Sequence, residues 1–253
     1  MNGGINEKHP QQNTFVFPSS GIKISSQFDS GNLARCMQQS KNLFHMYISE
    51  DSLPYTPLPA GCQNYRTWFY FSVTGVPKGE TVIFSMRNMN NQGRLFKLGL
   101  KPVYRVLPSA QPSWQRIPAS VQFDYLDEGP FFITFCHNFA YEETETTYFA
   151  FSYPFSFEEI QNQSQQLIDR FASSETIYVH REVLGLSLEG RPMDMLTISS
   201  RHKMTFQREE LIDGLFPCHP QNSTSSSLTE RPFKFEKQTV FLTCRVHPGE
   251  TPA

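Results

Sequence analysis

The stretch Trp68-Phe69-Tyr70-Phe71-Ser72-Val73 constrains the fold more than any other. Along an extended strand, successive side chains point to opposite faces. Phe69, Phe71 and Val73 then share one face, and Trp68, Tyr70 and Ser72 share the other. Both faces are apolar or aromatic. Such a strand belongs at the centre of a layered sheet that is covered on both sides.

The first half of the chain repeats this theme. Strand patterns occur at Ile22–Phe28, Leu43–Ser49, Thr81–Met86, Val103–Val106, Val121–Tyr125, Phe131–Phe139 and Thr147–Tyr153. Turn clusters such as Asp29-Ser30-Gly31-Asn32 separate them. Residues 81–86 are predicted to pair with the central strand across Gly75-Val76-Pro77-Lys78-Gly79. The Pro-rich piece 52–61 reads as a loop. The first 20 or so residues read as a mobile leader. Aromatic residues make up 14% of the chain, with 23 Phe, and favour strands over helices. Many short strands without a long helical period predict an antiparallel β-sandwich.

A helix should follow. Ser156 and Glu159 have capping-box spacing, and Phe155 and Ile160 stand where a hydrophobic staple closes the entry. Ile160, Leu167, Ile168 and Phe171 then keep to one helical face, as in a packing helix between domains. After Ser173-Ser174, Ile177–Leu186 and Met193–Ile198 read as two strands of a hairpin turning at Glu189-Gly190. A short helix is predicted around Arg208–Leu215, and a surface loop over the Ser/Thr-rich residues Pro217–Glu230.

The last stretch carries the candidate chemistry. Thr239–Val246 reads as a buried apolar strand, and Pro248-Gly249 bends the chain just beyond it. His247 and Glu250 flank that bend. An imidazole and a carboxylate on one side of a tight turn can both bind one zinc ion, whose catalytic sites use about three protein ligands and an open position. The plainer reading is a polar loop with a solvated Glu250.

Composition excludes several classes. Hydrophobic residues are 38% and charged residues 18%, which suits a globular chain. The net charge of −2 gives no global attraction to nucleic acid or an anionic membrane. No apolar run spans a bilayer, and residues 1–12 lack the apolar centre of a signal peptide. The five cysteines, Cys36, Cys62, Cys136, Cys218 and Cys244, form no C-x-x-C pair and read as free thiols of a reducing cytosol.

Two motifs now point to a family. Leu184-Gly185-Leu186-Ser187-Leu188-Glu189-Gly190-Arg191 resembles the G-x-S-x-E-G-R hairpin that opens funnelin-type zinc carboxypeptidases. Arg245-Val246-His247-Pro248-Gly249-Glu250-Thr251-Pro252 resembles the first zinc-ligand turn of their cytosolic branch, the cytosolic carboxypeptidases. Upstream, Phe28-Asp29-Ser30-Gly31-Asn32-Leu33, Trp68–Phe71, Asn88-Met89-Asn90 and Tyr153-Pro154-Phe155 resemble that branch's N-terminal β-sandwich.

The resemblance implies an N-terminal antiparallel β-sandwich followed by the truncated start of an α/β zinc carboxypeptidase domain. The implied division is a leader at 1–20, the sandwich at 21–155, a connecting helix at 156–174 and the incomplete peptidase domain at 175–253. It further implies a cytoplasmic enzyme that uses Zn2+ to remove glutamate from proteins such as tubulin. In such enzymes two His and a Glu hold the metal, and a second Glu takes the proton of the attacking water. His247 and Glu250 match two of the ligands. The second His, the general base and the Arg residues for the substrate carboxylate are expected beyond Ala253, so the 253 residues alone are expected to be inactive. The alternative from another class is a non-catalytic β-sandwich interaction module.

Other residues carry weaker signals. Cys244 and His247 lie three apart on a strand, on opposite faces, which does not suit a nucleophile and its base. His137, on an aromatic strand, reads as a satisfied sheet-edge residue, and His180 and His202 as surface or structural. Arg191 is expected to brace the hairpin end. Arg94, Lys97, Lys101 and Arg105 cluster in sequence; a solvated charged edge and a dock for an acidic tubulin tail both fit them.

Overall fold

The computed structural model describes residues 13–50, 65–109, 112–125, 129–140, 142–187, 190–217 and 230–244. Contacts divide the chain into two compact units that part between Ser156 and Phe157 and again between Leu242 and Thr243, the last residues grouping with the first unit.

The first unit is a two-layer β-sandwich. Among the described residues it carries β1 (Thr14–Phe17), β2 (Ile22–Ser25), β3 (Arg35–Ser40), β4 (Leu43–Tyr47), β5 (Tyr70–Thr74) and β6 (Thr81–Met89). A short helix α1 (Gly93–Lys97) leads to β7 (Val103–Leu107), β8 (Gln115–Arg116), β9 (Gln122–Tyr125), β10 (Phe131–Asn138) and β11 (Thr146–Ala150). One sheet runs β1-β2-β5-β11-β7-β8 and the other β3-β4-β6-β10-β9.

Period-two alternation builds the core. In β10, Phe131, Ile133, Phe135 and His137 turn inward, and the residues between them are less buried. Phe84 stands at the centre, its ring centroid 5.1 Å from Phe149, 5.4 Å from Phe71, 5.6 Å from Phe135 and 6.2 Å from Phe44. β5 is buried on both faces, as its sequence predicts: Phe69, Phe71 and Val73 enter the core, while Tyr70 joins Val103, Ala150, Phe28, Trp68, Trp114 and Tyr148 on the outer face.

Three expectations need correction here. The leader predicted over 1–20 contains β1, which pairs with β2 because Phe15 and Phe17 pack onto the core. The sandwich is not wholly antiparallel, since β4 and β6 run parallel. β6 does not pair with β5; the two lie in different sheets and face each other through Phe71 and Phe84. Alternation marks the core face of each strand but does not say whether consecutive strands are neighbours or opposites. Gly75, at φ 76, takes the chain off β5 so close to Gly21 that an added Cβ would lie 2.2 Å from the Gly21 carbonyl oxygen. β3 escaped notice because Arg35-Cys36-Met37-Gln38-Gln39-Ser40 is mostly polar and buries only Cys36.

The second unit, Phe157–Leu242, carries α2 (Phe157–Phe171), β12 (Ile177–Leu186), β13 (Pro192–Ser200), β14 (Met204–Arg208) and β15 (Phe233–Phe235) among its described residues. α2 starts directly after Ser156, where the capping signal stands. β12 and β13 form the predicted hairpin, in register from Ile177 opposite Ser200 to Leu186 opposite Pro192, with a bulge at Val183/Gly185.

The helix predicted around Arg208–Leu215 does not form. The Glu209 amide donates to the Pro232 carbonyl (2.9 Å), extending the β14–β15 pairing, and Gly214 at φ 79 turns the chain. The strand predicted over 239–246 is also absent from its described part, Thr239–Cys244. Val240, Phe241 and Leu242 are 81%, 71% and 86% exposed. β-forming residues make a strand only when a neighbour completes the ladder, and no described residue pairs with this segment. The loop predicted at 217–230 lies largely outside the described residues.

Candidate functional site

The predicted zinc ligands His247 and Glu250 lie outside the described residues. The described residues nowhere group three or more His, Cys, Asp or Glu side chains that could hold a metal ion. The fit of zinc therefore rests on the sequence of the turn, and no chemical step is derived through it.

The hairpin motif is described around its turn. The Ser187 amide donates to the Arg191 carbonyl (2.8 Å), and the Arg191 amide donates to Ser187 Oγ (3.1 Å). Gly190 takes φ 74, the left-handed region that glycine enters without a steric cost. The Arg191 guanidinium lies 5.6 Å from the Phe157 ring. The motif's Ser, Gly and Arg thus close a turn and brace it against α2.

Alternate residues of β12 enter two polar networks. Arg181 contacts Gln161 of α2 and pairs with Asp194 of β13 at 2.8 Å. Tyr178, His180 and Glu182 have the opposite parity: the Tyr178 and His180 rings stack at 6.1 Å, and the Tyr178 hydroxyl accepts from the Phe233 amide (3.2 Å). Glu182 is buried with Arg231, whose Nε lies 2.7 Å from Glu182 Oε2. Arg231 also donates to the Glu210 carbonyl and lies 3.7 Å from the Phe216 ring centroid. Burial pushes the Glu182 carboxyl above its usual range, and the Arg231 charge offsets this only in part. Burial likewise lowers His180.

This buried pair was not singled out from sequence. Its signal is a Glu within the strand pattern Ile177–Leu186, on the same parity as Tyr178, since acids are rarely fully buried unless paired. The partner could not be read, because 49 positions separate the two.

In the sandwich, the residues that carry the resemblance act as structural pegs. The Asn32 side chain donates to the carbonyls of Trp68 (2.8 Å) and Ser49 (3.2 Å), and accepts from the Ser49 amide (2.9 Å). Asn88 exchanges two 2.9 Å bonds with the Ile48 backbone. The Trp68 indole donates to the Ser30 carbonyl (2.7 Å). Gly31 fits where an added Cβ would lie 2.1 Å from the Ser26 carbonyl oxygen. Asn88 also lines a cavity of about 440 Å³, with Glu50 and Arg66 joined across it by an ion pair.

His137 differs from the expectation of a satisfied edge residue. It is 5% exposed, and neither ring nitrogen has a hydrogen-bond partner among the described residues. Tyr104, Phe139 and Phe149 surround it at 4.4, 5.0 and 5.1 Å. Burial pushes its pKa down to about 4, so it is neutral near pH 7. Cys36, buried in the same core, has its thiol pushed up to about 12. His202 is exposed, as is Cys244.

The four clustered cations separate. Arg94 and Lys97 stand exposed on α1, and Lys101 donates to the Pro118 carbonyl (2.8 Å). Arg105 lies on the outer face of the six-stranded sheet, its guanidinium 4.8 Å from the Trp114 ring and 5.7 Å from Tyr148.

With the sandwich and hairpin in place, comparison with known proteins gives the class. Residues 24–152 match the family model described as "Cytosolic carboxypeptidase N-terminal domain". The chain belongs to the cytosolic carboxypeptidase family. Among curated relatives, cytosolic carboxypeptidase-like protein 5 of Bos taurus is 36% identical, over 92% of this chain and 28% of its own length. The Mus musculus protein of that name is 41% identical, over 74% of this chain and 21% of its own length. The chain thus spans less than a third of the length of these two relatives. A metallo-carboxypeptidase structure from Burkholderia cenocepacia aligns with a TM-score of 0.49 at 20% identity, over 76% of this chain and 41% of that one. No helix among the described residues is long and apolar enough to cross a membrane.

Proposed function

We propose that this chain is the N-terminal part of a cytoplasmic zinc carboxypeptidase that removes glutamate from glutamylated proteins such as tubulin. One observation carries the reading. The 36% identity to cytosolic carboxypeptidase-like protein 5 covers 92% of the chain, well beyond the 24–152 match and past the hairpin motif at 184–191. In this reading the sandwich runs from β1 to 155, 156–174 is a connecting helix and 175–253 the start of the α/β peptidase domain. His247 and Glu250 supply two zinc ligands. Zinc, when bound, supplies a Lewis acid and an activated water.

The test compares the 253 residues with a longer protein that continues into the rest of a relative's peptidase domain. Zinc stoichiometry after dialysis and glutamate release from a glutamylated peptide are measured on both. The short chain should hold zinc weakly and release nothing, because two ligands without a positioned base make half a site. The longer protein should bind zinc and release glutamate, and His247→Ala in it should abolish both. A longer protein that binds zinc but cleaves nothing would favour the non-catalytic interaction module instead.

A further inference from the structure

We propose that the outer face of the six-stranded sheet holds a carboxylate-binding site for an acidic peptide, centred on Arg105. The site follows from strand register. Tyr148 of β11 stands opposite Arg105, and on the other side Gln115 and Arg116 stand opposite Tyr104 and Val103. Continuing that register brings Trp114 beside Arg105. The guanidinium therefore lies between two aromatic rings, 4.8 Å from Trp114 and 5.7 Å from Tyr148. Such stacking holds a guanidinium flat and preorganised for a planar, two-oxygen partner.

No such partner reaches it among the described residues. Arg105 Nε is buried without a hydrogen bond, and no ion pair reaches Arg105 among the described residues. A cation partly withdrawn from water without a counter-charge is costly unless something else pairs it. The rest of the face is complementary to an anion. Its outward positions on β1, β2, β5, β11, β7 and β8 include Lys23, Arg105 and Arg116. These three are cations, none of the outward positions is an acid, and Arg116 lies one register step from Arg105 on the same side. Around Tyr70, the rings of Phe28 (4.7 Å), Trp114 (5.7 Å), Trp68 and Tyr148 (6.2 Å each) form a stiff platform. The chemistry that fits is an extended Glu- or Asp-rich segment, with one carboxylate bidentate on Arg105 and its neighbours toward Arg116 and Lys23. The site needs no metal and stands apart from the zinc reading.

The test uses the 253-residue chain and a capped hexaglutamate peptide, with capped hexaglutamine and inorganic phosphate as comparisons. The chain has 2 Trp, so in a Trp68→Phe background Trp114 reports occupancy by its fluorescence. Hexaglutamate should bind and change that fluorescence, and hexaglutamine should not. Arg105→Met, which keeps the packed stem, should weaken binding about tenfold or more. Arg105→Lys keeps the charge but not the fork and should lose several-fold; it is the variant read if Arg105→Met does not fold. Arg94→Met with Lys97→Met on α1 should change nothing. The proposal is overturned if hexaglutamine binds equally, if phosphate binds as tightly as hexaglutamate, if both Arg105 variants bind like the parent, or if the α1 variant loses as much.

Discussion

The two units hold themselves together by different means. In the sandwich, Phe44, Phe69, Phe71, Phe84, Phe135 and Phe149 are fully buried between two sheets, and side chains from both layers close the core. In Phe157–Leu242, the large apolar side chains buried among the described residues are Tyr178 and Phe216. The Glu182–Arg231 pair is buried there, and Val240, Phe241 and Leu242 remain in water. A closed apolar core is stable whatever lies beside it, whereas a unit joined by a buried ion pair depends on both partners staying in place.

The largest effect should come from opening the closed core. Phe84→Ala removes a ring in contact with four others and should cost about 3–5 kcal/mol, read by denaturant unfolding. A loss near that of an exposed substitution would mean that the core is loosely packed.

The polar unit should respond almost as strongly to one well-chosen change. Arg231→Leu leaves Glu182 buried and unpaired, at a cost of about 3–5 kcal/mol in the second unit's own transition. Glu182→Leu with Arg231→Leu should regain most of that, because both charges leave together. Additive losses in the double variant would show that the two residues are not coupled.

A smaller effect separates the units by pH. Burial pushes His137 down to about 4 in the folded sandwich, against the ordinary histidine value of 6.5 in the unfolded chain. Between those values the unfolded chain binds the extra proton, so stability falls as pH drops from 6.5 to 4 and levels off below. The full loss is at most about 3 kcal/mol. His137→Phe should remove this acid slope from the sandwich transition and leave the second unit's unchanged. An unaltered slope would place the acid sensitivity elsewhere.

The same contrast explains what the sequence disclosed. Trp68–Val73 announced a strand covered on both faces because that information is local and periodic. Ser156 with Glu159, and the hairpin turning at Glu189-Gly190, were equally local, and α2 and β12–β13 follow them. Relations between distant residues were not legible. Whether β5 and β6 pair or face each other, that Glu182 meets Arg231, and that Arg105 falls between Trp114 and Tyr148 all depend on topology. The exposed run at 240–242 is the inverse case: its pattern asks for a strand, and no described neighbour completes one.

Hydrogen exchange followed along the chain tests the contrast most directly. A closed core protects its central strands up to the free energy of global unfolding, whereas unpaired segments exchange at once. Amides of β5, β6, β10 and β11 should therefore be the slowest in the protein. Those of β12 and β13 should be intermediate, and Thr239–Cys244 should exchange at the rate of an unstructured peptide. Protection at Val240–Leu242 equal to that of β6 would contradict the account, because it would mean that this segment is already paired within the 253 residues.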